Sequence, residues 1–276
     1  MESDDGGRIR RRGMKHALIT GVSGGMGNAA ARQLLSEGYT VYGLDLKEPE
    51  PTEGLVFIKT DLTDKNEIER AFEFVRSLTK SLDCIINLAG IYDLHSLVEI
   101  SEEALLKIFQ VNLFAVCRVN KTFLPLLRRG GRIMITSSEL ATLDPLPFTG
   151  IYAVTKTALD RYAYSLRMEL QLLDHQVIVL RPGAVDTGLL DDSMAALHAF
   201  CENTRLYPVN AGKFQRIVKS IETRNIPPEK IACIISKALS VKHPKLVYKV
   251  NRNPLLLIMN ALPDRLQLLI IKKLLR

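Results

Sequence analysis

One stretch near the start of the chain constrains what the rest can fold into. Lys15–Thr20 (KHALIT) is a short apolar run suited to a buried strand. It runs into Gly21-Val22-Ser23-Gly24-Gly25-Met26-Gly27, and a helical pattern follows from Asn28 to Glu37. A strand, a glycine-rich turn and a helix in immediate succession form the first half of a βαβ unit, whose second strand must lie parallel to the first. The remaining pattern repeats the unit. Thr40–Asp45, Leu55–Thr60, Asp83–Leu88, Gly131–Thr136, Gln176–Leu180 and Lys245–Val250 read as strands. Helical periodicity runs between them: a segment capped by Thr63 or Asp64 and extending to about Leu78, then Glu102–Leu127 and Tyr152–Leu173. Arg181-Pro182-Gly183 stops the sixth strand.

This alternation predicts an α/β protein: a Rossmann-type doubly wound parallel sheet of about seven strands with helices on both faces. The chain has 276 residues, 47% of them hydrophobic and 24% charged, which suits a single large domain with a substantial core. No repeat or low-complexity linker divides it. Residues 1–13 read as a flexible N-terminal extension without the apolar core of a signal peptide, and Met14 as an alternative start. Residues 14–250 read as the Rossmann domain, with a substrate lid at about 188–226, and 251–276 as an apolar, basic helical tail. Cys84, Cys117, Cys201 and Cys233 form no CxxC pair, which points to reduced thiols and a cytoplasmic setting. The five histidines are scattered, so no metal site is expected. No window is apolar enough for a transmembrane helix.

In an open parallel sheet, ligands bind outside the carboxyl ends of the strands. Several suggestive residues fall there. The glycines of the first turn let the backbone approach a pyrophosphate, and the helix N-terminus favours its charge. Asp45 ends the second strand, 18 residues beyond Gly27, where a carboxylate meets the adenosine ribose and repels a 2′-phosphate. With no Arg or Lys in the glycine turn, this argues for NAD, with NADP less favoured. Asp61, Asn87, Ser138 and Gly183 also sit at strand ends. Tyr152 and Lys156 are four apart at the start of a helical pattern and share a face. An ammonium beside a phenol favours the phenolate and tunes the tyrosine for proton transfer. Alone, this pair is equally a surface lysine beside a half-buried tyrosine. Asn112, set in VNLFAV, is either a core hydrogen-bonding residue or a functional one.

Taken in order, these motifs resemble the classical short-chain dehydrogenase/reductase family. Thr20-Gly21-x-x-x-Gly25-x-Gly27 resembles its cofactor turn and Asp61-Leu62 its adenine contact. Asn87-Leu88-Ala89-Gly90 resembles its N-N-A-G signature with Leu88 in place of the second Asn. Asn112, Ser138, Tyr152 and Lys156 match its catalytic tetrad, and Pro182-Gly183 with Thr187 its turn near the nicotinamide. The resemblance covers roughly residues 15–190 and continues more weakly to 250. It implies an NAD(H)-dependent oxidoreductase in which Tyr152 exchanges the proton and Lys156 lowers its pKa and holds the ribose. Ser138 donates to the substrate oxygen, and Asn112 holds a water linked to Lys156. The implied cofactor contacts are Gly21, Ser23, Gly25, Met26, Gly27, Asp45, Asp61, Leu62, Asn87, Ala89, Gly90, Pro182, Gly183, Val185 and Thr187, with Tyr152 and Lys156. It also implies a homodimer or homotetramer through the helices at 100–127 and 152–173. One departure stands out: the family's serine lies thirteen residues before the tyrosine, a position held here by Glu139. Ser138 is then the active hydroxyl if the loop through Asp144-Pro145-Leu146-Pro147 is one residue longer.

Substrate choice is less legible. Tyr92, Leu143, Leu146 and Phe148, with the stripe Leu189, Leu190, Met194, Leu197 and Phe200, predict an apolar pocket for a lipophilic secondary alcohol or ketone, steroid- or retinoid-like. From Asn203 onward there are 15 basic and 3 acidic residues. That basic quarter and the Leu-rich tail allow peripheral membrane contact, subunit packing or a cap on the substrate entrance. Nucleic acid is not expected, because no aromatic residues interleave the basic ones. Two rivals remain: a non-catalytic NAD-binding regulatory protein, which has no need of all four tetrad residues, and a peripheral membrane-binding module.

Overall fold

A computed structural model describes residues 14–221 and 225–276, without the side chains of residues 189–193 and 219–221. The extension at 1–13 and the pocket residues Leu189 and Leu190 lie outside what it describes. Seven strands form one wholly parallel sheet: β1 (Lys15–Thr20), β2 (Tyr39–Asp45), β3 (Leu55–Lys59), β4 (Leu82–Asn87), β5 (Leu127–Thr136), β6 (Gln176–Pro182) and β7 (Val247–Val250). Their order is β3-β2-β1-β4-β5-β6-β7. The order reverses between β1 and β4, so the loops after these strands diverge and leave a crevice at their carboxyl ends.

Successive strand residues point to opposite faces, so each strand builds two cores. Leu18, Ile85, Ile133 and Val177 pack under α2 (Lys65–Leu78), α4 (Ala115–Phe123) and α5 (Gly150–Leu170). Their neighbours Ile19, Ile86, Met134 and Ile178 pack under α1 (Gly25–Ser36) and α8 (Pro228–Ser240). Near-continuous burial explains why these strands read as apolar runs rather than alternating ones. Asp64 caps α2 by accepting from the Asn66 N–H at 2.7 Å.

The single helix expected over Glu102–Leu127 is instead four pieces. α3 (Glu102–Phe109) passes through a π-helical turn, Gln110–Phe114, into α4, and a short 3-10 turn at Leu124–Leu126 leads straight to β5. The π turn carries Asn112, whose buried side chain is drawn out of the helix surface by hydrogen bonds to another loop. Beyond β6, α6 (Gly188–Asn203) and α7 (Pro208–Ile221) occupy the segment read above as a lid. Its far end returns to the sheet through Asp186 N–H to Ile226 O at 2.8 Å. After β7 come α9 (Pro254–Asn260) and α10 (Asp264–Leu275). They fold onto their own chain: Leu275 packs with Leu94, Leu197 and Phe214, and Asn210 Nδ2 donates to Leu275 O at 2.7 Å. No helix among the described residues is long and apolar enough to cross a membrane.

Candidate active site

Two adjoining cavities occupy the carboxyl edge of the sheet. The first, about 390 Å3, is lined by the β1–α1 turn, Asp45, Asp61, Leu62 and Ala89–Ile91. The second, about 380 Å3, contains Ser138, Tyr152 and Lys156. They share Met26, Leu88, Gly90, Ile91 and Thr187, so one extended molecule can reach from one into the other.

The glycines of the first cavity are required by a steric test. Gly21 has φ +73°, and a Cβ there would stand 2.7 Å from the Ala89 nitrogen. A Cβ on Gly27 would meet Gly21 O at 1.9 Å. Any other residue at these positions would close the turn that exposes the first N–H groups of α1. The first turn of that helix carries no acidic residue, which suits an anion. Thr20 locks the neighbouring loop, its hydroxyl accepting from Leu88 and Ala89 N–H at 3.2 and 3.3 Å. Asp45 accepts from Ser23 N–H at 2.9 Å and Leu46 N–H at 2.7 Å, which holds its carboxylate at the rim where an adenosine ribose would lie. A nicotinamide dinucleotide therefore fits these residues.

Asn87 departs from the reading above. Its amide donates to Asn120 Oδ1 at 2.9 Å and Met134 O at 3.2 Å, and it lines neither cavity. It ties β4 to α4 and β5, and Leu88–Gly90 line the cavities beside it. Asn112 is fully buried and spends its side chain on the same loop. Oδ1 accepts from Ile91 N–H at 2.9 Å, and Nδ2 donates to Ile91 O at 2.9 Å and Thr155 Oγ1 at 3.3 Å. Oδ1 keeps a second lone pair through which the expected water could still be held. Asn112 still borders Lys156: a Cβ on Gly90 would be 3.2 Å from Asn112 Oδ1 and 3.4 Å from Lys156 Nζ.

Tyr152 and Lys156 face the second cavity from α5, with Lys156 Nζ 5.6 Å from the tyrosine ring centroid. Nζ donates to Thr136 O at 3.2 Å. Ser138 and Tyr152 line the same cavity, and Ser138 is near enough to lower the tyrosine's proton affinity. Their acidities run opposite to the expected tuning. Burial pushes the Tyr152 hydroxyl up to about 12, with Ser138 lowering it and Glu139 raising it. Burial also pulls Lys156 down to about 8. A desolvated phenol keeps its proton and a desolvated ammonium gives its proton up, because both charged forms lose hydration. Pro182, Gly183, Val185 and Thr187 complete the wall.

Leu143 and Phe148 do not line the second cavity, although Tyr92 and Leu146 do. Phe148, at φ +70°, turns into a cluster with Phe200, Tyr207 and Phe214, at ring separations of 4.6, 5.3 and 5.4 Å. The wall is completed by residues far along the chain: Phe214 and Val218 from α7, and Asn251–Pro254 and Leu256 after β7. Helical spacing in α7 marks Phe214 and Val218 as one face, but nothing local says which cavity that face meets.

Comparison with known proteins agrees with this geometry. Residues 15–197 match the family model described as short chain dehydrogenase. A 3-ketodihydrosphingosine reductase from Bacteroides thetaiotaomicron is 28% identical over 90% of this chain and 93% of its own length. An NADPH-dependent 1-acyldihydroxyacetone phosphate reductase from Schizosaccharomyces pombe is 31% identical over 84% of this chain and 78% of its own. A short chain dehydrogenase family protein from Francisella tularensis has a similar structure, with a TM-score of 0.71, 26% identity and coverage of 86% of this chain and 96% of that one.

Proposed function

Because this chain belongs to the short-chain dehydrogenase/reductase family of oxidoreductases, we propose that it reduces a lipophilic ketone to the secondary alcohol with a nicotinamide cofactor. The observation that carries this reading is the convergence of Ser138, Tyr152 and Lys156 on a cavity continuous with the glycine cradle. The bound dinucleotide supplies the hydride. Ser138 holds the carbonyl oxygen, and Tyr152, whose hydroxyl retains its proton through the neutral range, donates to that oxygen as charge develops. Lys156 holds the ribose and supplies positive charge beside the phenol. Asn112 positions the Ile91 loop that borders Lys156. An intact tetrad weighs against a purely regulatory nucleotide binder, since binding alone does not need it.

The apolar wall of Leu146, Phe214, Val218 and Leu256 supports a lipid-like substrate, and the relatives above are named as reductases of such compounds. Asp45 supports NAD(H); the NADPH-dependent relative supports the phosphorylated form. We place NAD(H) first, because the Asp45 carboxylate at the rim of the first cavity would repel a 2′-phosphate. Homo-oligomer formation through α3–α5 is supported by outward-facing Phe114, Val154, Tyr164 and Met168. The scattered cysteines, none in a CxxC pair, support a reducing, cytoplasmic setting. A second reading adds to the first: exposed Leu255, Ile258, Leu268 and Leu269 on α9 and α10, beside Arg265, Lys272 and Lys273, support peripheral contact with an anionic membrane.

A panel of long-chain ketones, followed by nucleotide absorbance with NADH and NADPH compared, tests the assignment. Tyr152→Phe is expected to lower turnover by about 10²–10⁴-fold while nucleotide affinity stays within a few-fold. Full activity in that variant would remove Tyr152 from the chemistry.

A further inference from the structure

The substrate cavity has an acidic point that the reduction itself does not use. Glu139 directly follows Ser138 and is only 7% exposed. It lines the cavity with Ser138, Tyr152 and Gly183. One carboxylate oxygen is anchored: Oε2 accepts from Asn253 N–H at 2.8 Å. The other, Oε1, abuts the Pro182-Gly183 turn so closely that a Cβ on Gly183 would stand 2.9 Å from it. Oε1 has no hydrogen-bond donor and no ion pair among the described residues. Arg252, also in the wall, acts on the carboxyl only at longer range. Burial pushes this carboxyl above the usual carboxylate range, and the Asn253 bond and Arg252 pull it back.

Glu139 lines the cavity and Oε1 takes no donor from the described residues, so a ligand's donor can pair with it there. A cationic donor completes it best, because a charge-assisted hydrogen bond is roughly twice as strong as a neutral one. An anionic group at the same place would meet the carboxylate's repulsion. Glu139, Ser138 and Tyr152 line one cavity, so a donor that meets Oε1 and a carbonyl held by Ser138 and Tyr152 belong to the same substrate. We propose that Glu139 is a substrate-recognition residue that pairs with a protonated amine on the carbon adjacent to the reacting carbonyl, so that the preferred substrate is a long-chain amino ketone. This rests on the ketone-reductase reading above and narrows it.

The test uses the full-length protein and three long-chain ketones that differ only at the carbon next to the carbonyl: amine, hydroxyl or hydrogen. They are assayed near pH 7 with NADH and NADPH. The wild type is expected to prefer the amine over the hydrogen compound by about 10²-fold in kcat/KM. In Glu139→Gln, which keeps an acceptor for Asn253 N–H, the amine compound should lose about 10–10²-fold while the hydrogen compound changes less than about threefold. Glu139→Asp, which keeps the charge but withdraws it, should lose part of the preference, and nucleotide affinity should be unchanged in both. An equal loss on all three ketones would make Glu139 merely a fastener for the segment at Asn253 and overturn the proposal, as would a wild type that favours the hydroxyl or hydrogen compound. Reduction of the unsubstituted ketone without preference for the amine sinks only this proposal; no reduction of any of the three sinks the parent reading with it.

Discussion

At the scale of single residues, burial outweighs the charge arrangement that the spacing suggests. Tyr152 and Lys156 share a helix face, yet each is pushed toward its neutral form. Lys156 titrates near 8 in the folded chain against an ordinary 10.5, so the unfolded chain binds more protons between those values. Stability therefore rises with pH across that window, and below it the folded state carries the desolvation cost of a buried ammonium. Lys156→Met is expected to stabilise the nucleotide-free protein at pH 7, by on the order of 3 kcal/mol at most, and so to raise its melting temperature. The gap to wild type should close as pH approaches 10. Tyr152 acts in the opposite sense, since a phenol whose pKa is raised loses its stabilising share only above 10, and it is common to both proteins. Melting curves at stepped pH decide this, and a gap that stays constant with pH would show that Lys156 is not strained by burial.

At the scale of elements, the site depends on how α5 is fastened to β6. Arg181, at the end of β6, makes a two-pronged contact with Asp160 on α5, with Arg181 Nε to Asp160 Oδ1 at 2.9 Å. Both side chains are mostly buried. The pair sets the distance between Tyr152 and Lys156 on one element and the Pro182-Gly183 turn on the other. Removing one partner of a buried pair leaves the other charge uncompensated, at a cost of about 3–5 kcal/mol. Arg181→Met should lower stability by that order and reduce kcat more than nucleotide affinity. Replacing both partners by Met and Leu should recover most of the stability. Urea unfolding of the single and double variants measures the difference, and a double variant no better than the single would argue that the pair is not the fastener.

At the scale of the whole molecule, the tail is both wall and surface. Asn253, Pro254 and Leu256 close the substrate cavity from one side, while Leu268 and Leu269 stand 67% and 63% exposed on the other. A lipid-like ketone entering there would pass from a membrane surface along α9 and α10 into the cavity. Leu268→Glu with Leu269→Glu is expected to abolish co-sedimentation with phosphatidylserine vesicles and to leave reduction of a short, water-soluble ketone within about twofold. Wild-type binding should also weaken with added salt, because Lys272 and Lys273 are screened. Undiminished vesicle binding by the double variant would detach the tail from any membrane role.

The sequence by itself determined the parallel α/β sheet of about seven strands and its glycine-rich turn, and the structure supplied the strand order. The sheet and the turn rest on periodicity and on steric demands confined to a few neighbouring residues, as at Gly21 and Gly27. It also brought Ser138, Tyr152 and Lys156 forward, because their spacing is local to one loop and one helix. Only the tertiary structure decided where Asn87 points, because its partners Asn120 and Met134 lie 33 and 47 residues away. The same holds for the π turn at Asn112, the proton affinities of Tyr152 and Lys156, and the pairing of Glu139 with Asn253 across 114 residues of chain. Burial and through-space contact belong to the packed molecule, and local sequence carries no record of which distant segment will supply them.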